Sequence, residues 1–241
     1  AYSDYTRTLD IDNAIHRVTY KEGGITFKRE YFMSYPDNIM VMRLTSDSKK
    51  GKISRMISLE SLHTDKVIRA SDNTITLTGY PTPTSGDKRV GDHWKNGLKY
   101  AQQLLVKHTG GKITVVDGKK LKIEEAKEII VLMSAATNYV QCMDDSYHYF
   151  SGEEPLDKVK ATLKKAANTA LLATHEKDYH SLYDRMKLNL GNLPEMPVVT
   201  TDSLLKGMDA HTNSESENQY LEMLYFQFGR YLLISSSREG S

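Results

Sequence analysis

Apolar and polar residues alternate through most of the first 140 positions of this chain. Ile25, Phe27, Arg29, Tyr31 and Met33 share one parity, and so do Ile53, Arg55, Ile57 and Leu59. A period of two puts such residues on one face of a strand. Ile75 and Leu77 face away from Thr74, Thr76 and Thr78. Further apolar runs cover 18–20, 39–44, 98–106, 113–116, 121–123 and 129–133. Turn chemistry separates them: Gly23-Gly24 is a hairpin signal, Pro36-Asp37-Asn38 a turn, and Lys50-Gly51 a break. Many short strands joined by glycine turns predict an antiparallel sandwich. Residues 79–97 form a long connection rich in proline, glycine and charge, and connections of that length tend to carry function.

The period changes after residue 150. Glu153 and Glu154 stand before Pro155, which suits a helix start with acids at the positive end of the dipole. Leu156, Val159, Leu163, Ala166, Ala167 and Ala170 keep helical spacing, and 175–186 predicts a second helix. Residues 191–197 are rich in breakers, 198–218 read as a polar stretch with 213–218 exposed, and a last helix runs from about Glu217. That helix carries Leu221, Leu224, Tyr225, Phe228 and Leu232 on one side, with Met223, Phe226 and Leu233 on another. A helix apolar on several sides needs cover on several sides. The chain ends soon after it, so the expectation is a helical domain that continues past Ser241.

Composition narrows the function classes. Lys plus Arg number 32 against 31 Asp plus Glu, for a net charge of +1. That balance gives no electrostatic case for nucleic acid or for an anionic membrane. No apolar run approaches the ~20 residues that cross a bilayer, and no basic-then-apolar leader opens the chain. The single cysteine, Cys142, excludes an intrachain disulfide and a multi-cysteine metal site.

The final helix also carries a resemblance. Phe228 through Arg238, with Gly229-Arg230-Tyr231-Leu232-Leu233 and Ser235-Ser236-Ser237-Arg238, resembles the "GRYLL-S-SR-G" signature of glycoside hydrolase family 95, the α-L-fucosidases with some α-L-galactosidases. Four more stretches resemble that family in the same order. They are Tyr5, Arg7, Leu9, Asp10, Asp12 and Ala14; Phe27, Arg29, Tyr31, Phe32, Ser34, Pro36 and Asp37; Ala135 through Tyr139; and His175, Asp178, Tyr179, Tyr183, Asp184 and Arg185. Thr201 and Asp202 match the family's "TDERL", but Ser203, Leu204 and Leu205 depart from it.

The resemblance implies a mostly β fold with a C-terminal helical part. Residues 1–150 would form an antiparallel β-supersandwich domain lacking its first strands. Residues 151–197 would form a helical linker, and 198–241 the start of a catalytic (α/α)6 barrel. It implies an inverting hydrolase of terminal α-L-fucosyl linkages in oligosaccharides or glycans, with no metal or organic cofactor and a periplasmic or secreted bacterial location. The catalytic acid and the water-positioning asparagines would lie beyond Ser241. The remainder of the barrel would then be this chain's intramolecular partner. The rival reading is a non-catalytic carbohydrate-binding or structural sandwich.

Inverting glycoside hydrolysis uses an acid and a base ~6.5–9.5 Å apart across the scissile bond. Asp144 with Asp145 and Glu153 with Glu154 are paired acids, but neighbours on a strand face opposite ways. Solvated or helix-cap roles are expected for all four. His93 and Trp94, beside Asp92 in the long connection, are the candidate sugar contacts: a flat apolar ring with hydrogen-bonding neighbours. The alternative is that Trp94 packs on a sandwich edge. Tyr147, His148, Tyr149 and Phe150 form an aromatic cluster expected at a domain junction. His175 and His180 are five apart, unlike a helical metal pair. Arg230 and Arg238, eight apart, read as lying on one side of the final helix. A buried arginine needs partners. Each is expected to hold a carboxylate of the barrel, to anchor a substrate loop, or to touch sugar directly, and Arg238 joins His93 and Trp94 as a candidate substrate-binding residue. Ser235, Ser236 and Ser237 are expected to end that helix.

Overall fold

The computed structural model describes residues 2–50, 53–81, 97–141, 150–188, 190 and 199–238. The chain forms two compact units, one from residues 1–8 and 16–175, the other from 9–15 and 176–241.

The first unit is an antiparallel sandwich. Its larger sheet takes β1 (Tyr2–Asp10), β2 (Ile15–Glu22), β3 (Ile25–Ser34), β4 (Ile39–Ser46), β6 (Lys66–Ser71), β7 (Thr74–Gly79), β8 (Tyr100–Thr109) and β11 (Glu128–Thr137), in the order β1-β2-β3-β4-β11-β8-β7-β6. Its smaller sheet has β5 (Ile53–Ser58), β10 (Lys120–Ala126) and β9 (Lys112–Val116), in the order β5-β10-β9. The alternation read from the sequence sorts side chains into two layers. Leu44, Leu104, Val106, Ile129 and Val131 face the small sheet and meet Ile53, Leu121 and Ile123. Ile39, Val41, Ala101 and Leu132 face the other way and meet Val159, Leu163 and Ala166 of α1 (Pro155–Ala166). Central strands β8 and β11 are therefore covered on both faces, which explains the unbroken apolar runs Leu104–Val106 of β8 and Ile129–Met133 of β11.

The hairpin signals hold. Gly23 and Gly24 take φ of 57° and 75° between β2 and β3, the left-handed pair that a tight hairpin demands. At Gly111 a Cβ would lie 2.1 Å from the Glu124 carbonyl oxygen, so only glycine lets β9 close on β10.

Three elements differ from the sequence reading. β6 was not expected: Lys66, Arg69 and Ser71 dilute its apolar content, as suits an exposed edge strand. Helix α2 (Leu171–Tyr183) starts four residues before His175. Residues 201–209, read as polar chain, form helix α3 (Thr201–Asp209), which buries only Leu204.

Helix α4 (Glu215–Ser236) starts within two residues of the expected point. Ser214 caps it through a reciprocal capping box with Glu217, a signal written in the sequence as Ser-x-x-Glu. Asn213 and Asn218, expected to be exposed, are half-buried, and the Asn213 amide donates to the Leu204 carbonyl at 2.8 Å. Gly207 makes room for that amide, since a Cβ there would sit 1.8 Å from Asn213 Oδ1. Tyr225, Phe228, Leu232 and Leu233 of α4 are exposed. Among the described residues no helix is long and apolar enough to cross a membrane.

Candidate functional site

Asp92, His93 and Trp94 lie outside the described residues, as do Asp144, Asp145, Tyr147, His148 and Tyr149. The ends of both connections are described, and Asn138 holds them. Its Oδ1 accepts from the Lys99 backbone N–H at 2.7 Å. Its Nδ2 donates to the carbonyls of Gly97 at 2.7 Å and Ser151 at 3.0 Å. The side chain is 5% exposed, so each bond is sheltered from competing water. Phe150 bridges to Tyr139 and lies against Gly97, where any Cβ would meet its ring. Beside these ends a cleft of about 310 Å³ is lined by Asp65, Tyr80, Lys99, Tyr100 and Glu154 among others. Lys99 reaches Glu154, which occupies the N-cap position of α1 and makes no side-chain cap bond. Glu153 and Glu154 are both exposed, as their solvated reading requires.

The second unit gathers the other candidates around α2 and α4. Arg238 Nη2 donates to Asp178 Oδ2 at 2.8 Å and its Nη1 to Oδ1 at 3.4 Å. This fork-on-carboxylate geometry is what arginine supplies and lysine does not. Arg230 donates to the carbonyls of Tyr183 at 2.6 Å and Met186 at 2.9 Å, and its guanidinium lies 4.8 Å above the Tyr183 ring. It caps carbonyls that the end of α2 leaves without helical partners.

Arg230 and Arg238 do not share a helix face. Helix α4 ends at Ser236, and Ser237 is extended at φ −136°. Arg238 therefore stands past the helix end, and the serines terminate the helix as expected. Its carboxylate partner was anticipated from the barrel. The structure supplies one from α2, and the only sequence hint was the His-x-x-Asp-Tyr stretch that contains Asp178.

Aromatic and acidic side chains fill the space between. Tyr179 donates to the Ile11 carbonyl at 2.7 Å and stacks on Tyr183 at 5.1 Å. His180 joins Asn13 at 3.1 Å and Asp184 at 3.0 Å. In the first unit His175 is buried against Phe32, with its ring nitrogen 3.1 Å from the Met33 carbonyl oxygen. Among the described residues no three His, Cys, Asp or Glu side chains gather as a metal site. Around α2 the carboxylates of Asp178, Asp184 and Asp12 are committed to Arg238, His180 and Tyr183 respectively. This cluster orients helices; it does not place an acid and a base across a bond.

Burial, with the Asp12 carboxylate as a hydrogen-bond partner, pushes the Tyr183 hydroxyl up to about 12 from 10.0. Tyr179 moves upward too, chiefly through burial. The folded chain keeps these protons where the unfolded chain releases them, so stability falls as pH rises from about 10 toward 12. Tyr183→Phe is expected to flatten that fall. Urea midpoints at pH 9, 10 and 11 measure it, and parallel slopes for variant and parent would contradict the assignment.

Comparison with known proteins agrees along the chain. Residues 1–142 match the model of the glycosyl hydrolase family 65 N-terminal domain, and residues 167–241 match that of the glycosyl hydrolase family 95 catalytic domain. Alpha-L-fucosidase 2 of Arabidopsis thaliana is 29% identical over 99% of this chain and 30% of its own length. Probable alpha-fucosidase A of Aspergillus niger is 31% identical over 98% of this chain and 29% of its own length. The chain thus spans about 30% of the length of the curated relatives it matches. A solved structure described as a kojibiose phosphorylase from human microbiome superposes with a TM-score of 0.52 at 14% identity, over 76% of this chain and 25% of that one. That likeness speaks to the sandwich fold alone. The chain therefore carries an N-terminal domain of the glycosyl hydrolase family 65 type over residues 1–142, and its residues 167–241 match the glycosyl hydrolase family 95 catalytic domain, with relatives named as fucosidases aligned along nearly all of it.

Proposed function

We propose that this chain is the sandwich and adjoining helical part of a longer α-L-fucosidase, which hydrolyses terminal α-L-fucosyl linkages of oligosaccharides or glycans with inversion. The observation that carries the reading is one alignment running through both the sandwich and the catalytic-domain match, to relatives named as fucosidases. In this reading residues 1–150 brace the catalytic part, 151–197 link, and 198–241 open the helical barrel. The connection held by Asn138 borders the sugar pocket and brings His93 and Trp94 to the substrate. Arg238, its guanidinium occupied by Asp178, shapes the pocket by positioning the chain after α4.

The test compares the longer polypeptide containing this chain with the chain alone, on a chromogenic α-L-fucoside and on a fucosylated oligosaccharide. The longer polypeptide is expected to release β-L-fucose first, seen by proton NMR. The purified 241-residue chain is expected to match the buffer blank. Sugar binding without turnover by the longer polypeptide would favour a carbohydrate-binding module and overturn the proposal. In the active enzyme Trp94→Ala should raise KM more than it lowers kcat, because an edge contact acts in ground and transition states alike. A melting point several degrees lower with unchanged kinetics would place Trp94 in the sandwich packing instead.

A further inference from the structure

The large sheet runs two strands past the helix that covers it. Helix α1 packs chiefly on β11 and β8, and β7 and β6 continue the sheet beyond β8. Val67, Thr78 and Ala101 stand in one row of the β6–β7–β8 register. Direct cross-strand neighbours share a face. Ala101 belongs to the layer that meets α1, so Val67 and Thr78 lie on the α1 side as well. The step between the start of α1 and this strip of sheet is the cleft of about 310 Å³. Val67, Ala101 and Pro155 give it apolar surface, and of these Ala101 and Pro155 are buried.

Polar groups gather around that surface. The Tyr80 backbone N–H donates to the Asp65 carbonyl at 3.1 Å, which ties the end of β7 to the start of β6. Any Cβ at Gly79 would overlap the same carbonyl oxygen, so glycine permits the approach. Lys99 is paired with Glu154. That hydrogen bond, with Tyr80 also acting on Lys99 electrostatically, holds the Lys99 ammonium above its ordinary pKa. Lys99 is therefore charged and committed. Among the described residues the exposed Asp65 carboxylate makes no hydrogen bond or ion pair. Its acceptors are available to a ligand.

This lining selects by chemistry. Asp65 and Glu154 outnumber Lys99, so an anion would meet net negative charge and an ammonium that is already paired. A wholly apolar ligand would strand the Asp65 carboxylate and the Thr78 and Tyr80 hydroxyls without water. A sugar ring suits both halves. Its C–H face covers apolar surface, and its hydroxyls donate to a carboxylate and exchange hydrogen bonds with protein hydroxyls. The volume lies at the small end of the ~300–1,000 Å³ range of ligand clefts, as a small saccharide requires.

We propose that this cleft binds a neutral hexopyranose unit of a glycan, with its C–H face on Val67, Ala101 and Pro155 and its hydroxyls on Asp65, Thr78 and Tyr80. The demand for a small neutral polyol comes from the cleft. Its identification as part of a glycan rests on the fucosidase reading. A weak site of this kind adds a second point of attachment for a branched glycan and lengthens its stay on the protein.

The test titrates the ¹⁵N-labelled 241-residue chain with lactose and, separately, with maltose. Saturable shifts are expected for at least one of them, confined to amides near Asp65, Thr78, Tyr80, Lys99 and Leu156. Asp65→Ala should weaken that binding at least about tenfold, the scale of one hydrogen bond to a charged group, with the melting point unchanged because Asp65 is exposed. Asp65→Asn keeps an acceptor and should fall between. Thr78→Val keeps the shape, loses the hydroxyl and should weaken binding about three- to tenfold. Glu22→Ala, an exposed acid on β2, should change nothing. No saturable shift with either sugar, shifts elsewhere in the chain, or affinity indifferent to both Asp65→Ala and Thr78→Val overturns the proposal. Equal shifts with glycerol, or tighter binding of spermidine at matched ionic strength, also overturn it, the second making the cleft a cation site. The hydrolase reading fails separately. A longer polypeptide that releases fucose, beside a chain that binds neither sugar, sinks only the cleft; sugar bound here, beside a longer polypeptide without turnover, supports the cleft and sinks only the hydrolase.

Discussion

Leu163→Ala is expected to destabilise the sandwich unit by about 2–5 kcal/mol, within the usual range for a truncated core leucine. Leu163 is 3% exposed on α1, with Val159 at 0% and Ala166 at 2%. These positions form one helical stripe, and the stripe lies on Ile39, Val41, Ala101 and Leu132. The polar ties of α1 lie at its exposed ends, where Lys99 reaches Glu154. Its N-cap makes no side-chain capping bond, and the Lys107 contact to the Ala167 carbonyl is exposed. Shortening Leu163 removes apolar contact and leaves a void that a flat sheet face cannot collapse to fill. Lys160→Ala, one turn away on the exposed face, is the control and should change stability by no more than about 0.5 kcal/mol. Urea unfolding followed by circular dichroism measures both. A Leu163→Ala loss below ~1 kcal/mol would mean that α1 is not part of the cooperative core.

The sandwich was legible because its signal is redundant. Period-two alternation, glycine turns at 23–24 and 110–111, and β-branched runs in β9 and β11 all point to the same hairpins. Elements that lack a buried face were not legible. β6 shows only Ile68 and Ala70 as half-buried apolar residues, too few for a period to register. α3 buries Leu204 alone and contains Gly207, a poor helix former whose purpose is the approach of Asn213, a contact no local pattern encodes. The start of α2 was missed because Leu171 and Leu172 follow directly on the Ala166-to-Ala170 stretch. Only the turn at 167–170 separates the two helices.

The site was legible in residue type and not in partnership. Arg230 and Arg238 were singled out because an arginine in an apolar helix needs partners, and both have them. What the sequence withheld was that the partners lie in α2 and just past its end, 60 residues away from Arg238 in the case of Asp178. Asn138 was visible only as part of a resemblance. Its role as the clamp on Gly97, Lys99 and Ser151 depends on strands β8 and β11 running side by side. Arg29 and Arg55 read as ordinary members of two alternating strands. Only their convergence on the Tyr20 phenol shows that the sandwich interior holds two positive charges.

Asp178→Ala is expected to destabilise the second unit by about 3 kcal/mol, the lower end of the range for breaking a buried ion pair from one side. The side chains are 24% exposed at Asp178 and 14% at Arg238, so water screens the pair in part. The loss is mostly the desolvated guanidinium that no longer has Asp178 to compensate it; little of it is attraction forgone. That argument predicts a specific non-additivity. Arg238→Met alone should cost less than Asp178→Ala, because methionine fills the space and brings no charge. Arg238→Met added to Asp178→Ala should recover much of the loss, giving a coupling of about 1–3 kcal/mol in a double-mutant cycle. Arg238→Lys should fall between, since lysine cannot make the forked contact. Urea unfolding of the four chains, fitted with a common slope, yields the cycle. Strict additivity would show that Arg238 and Asp178 are neighbours without energetic coupling, and the carbonyl of Ile234, 2.8 Å from Arg238 Nε, would then be the contact that holds the chain end after α4.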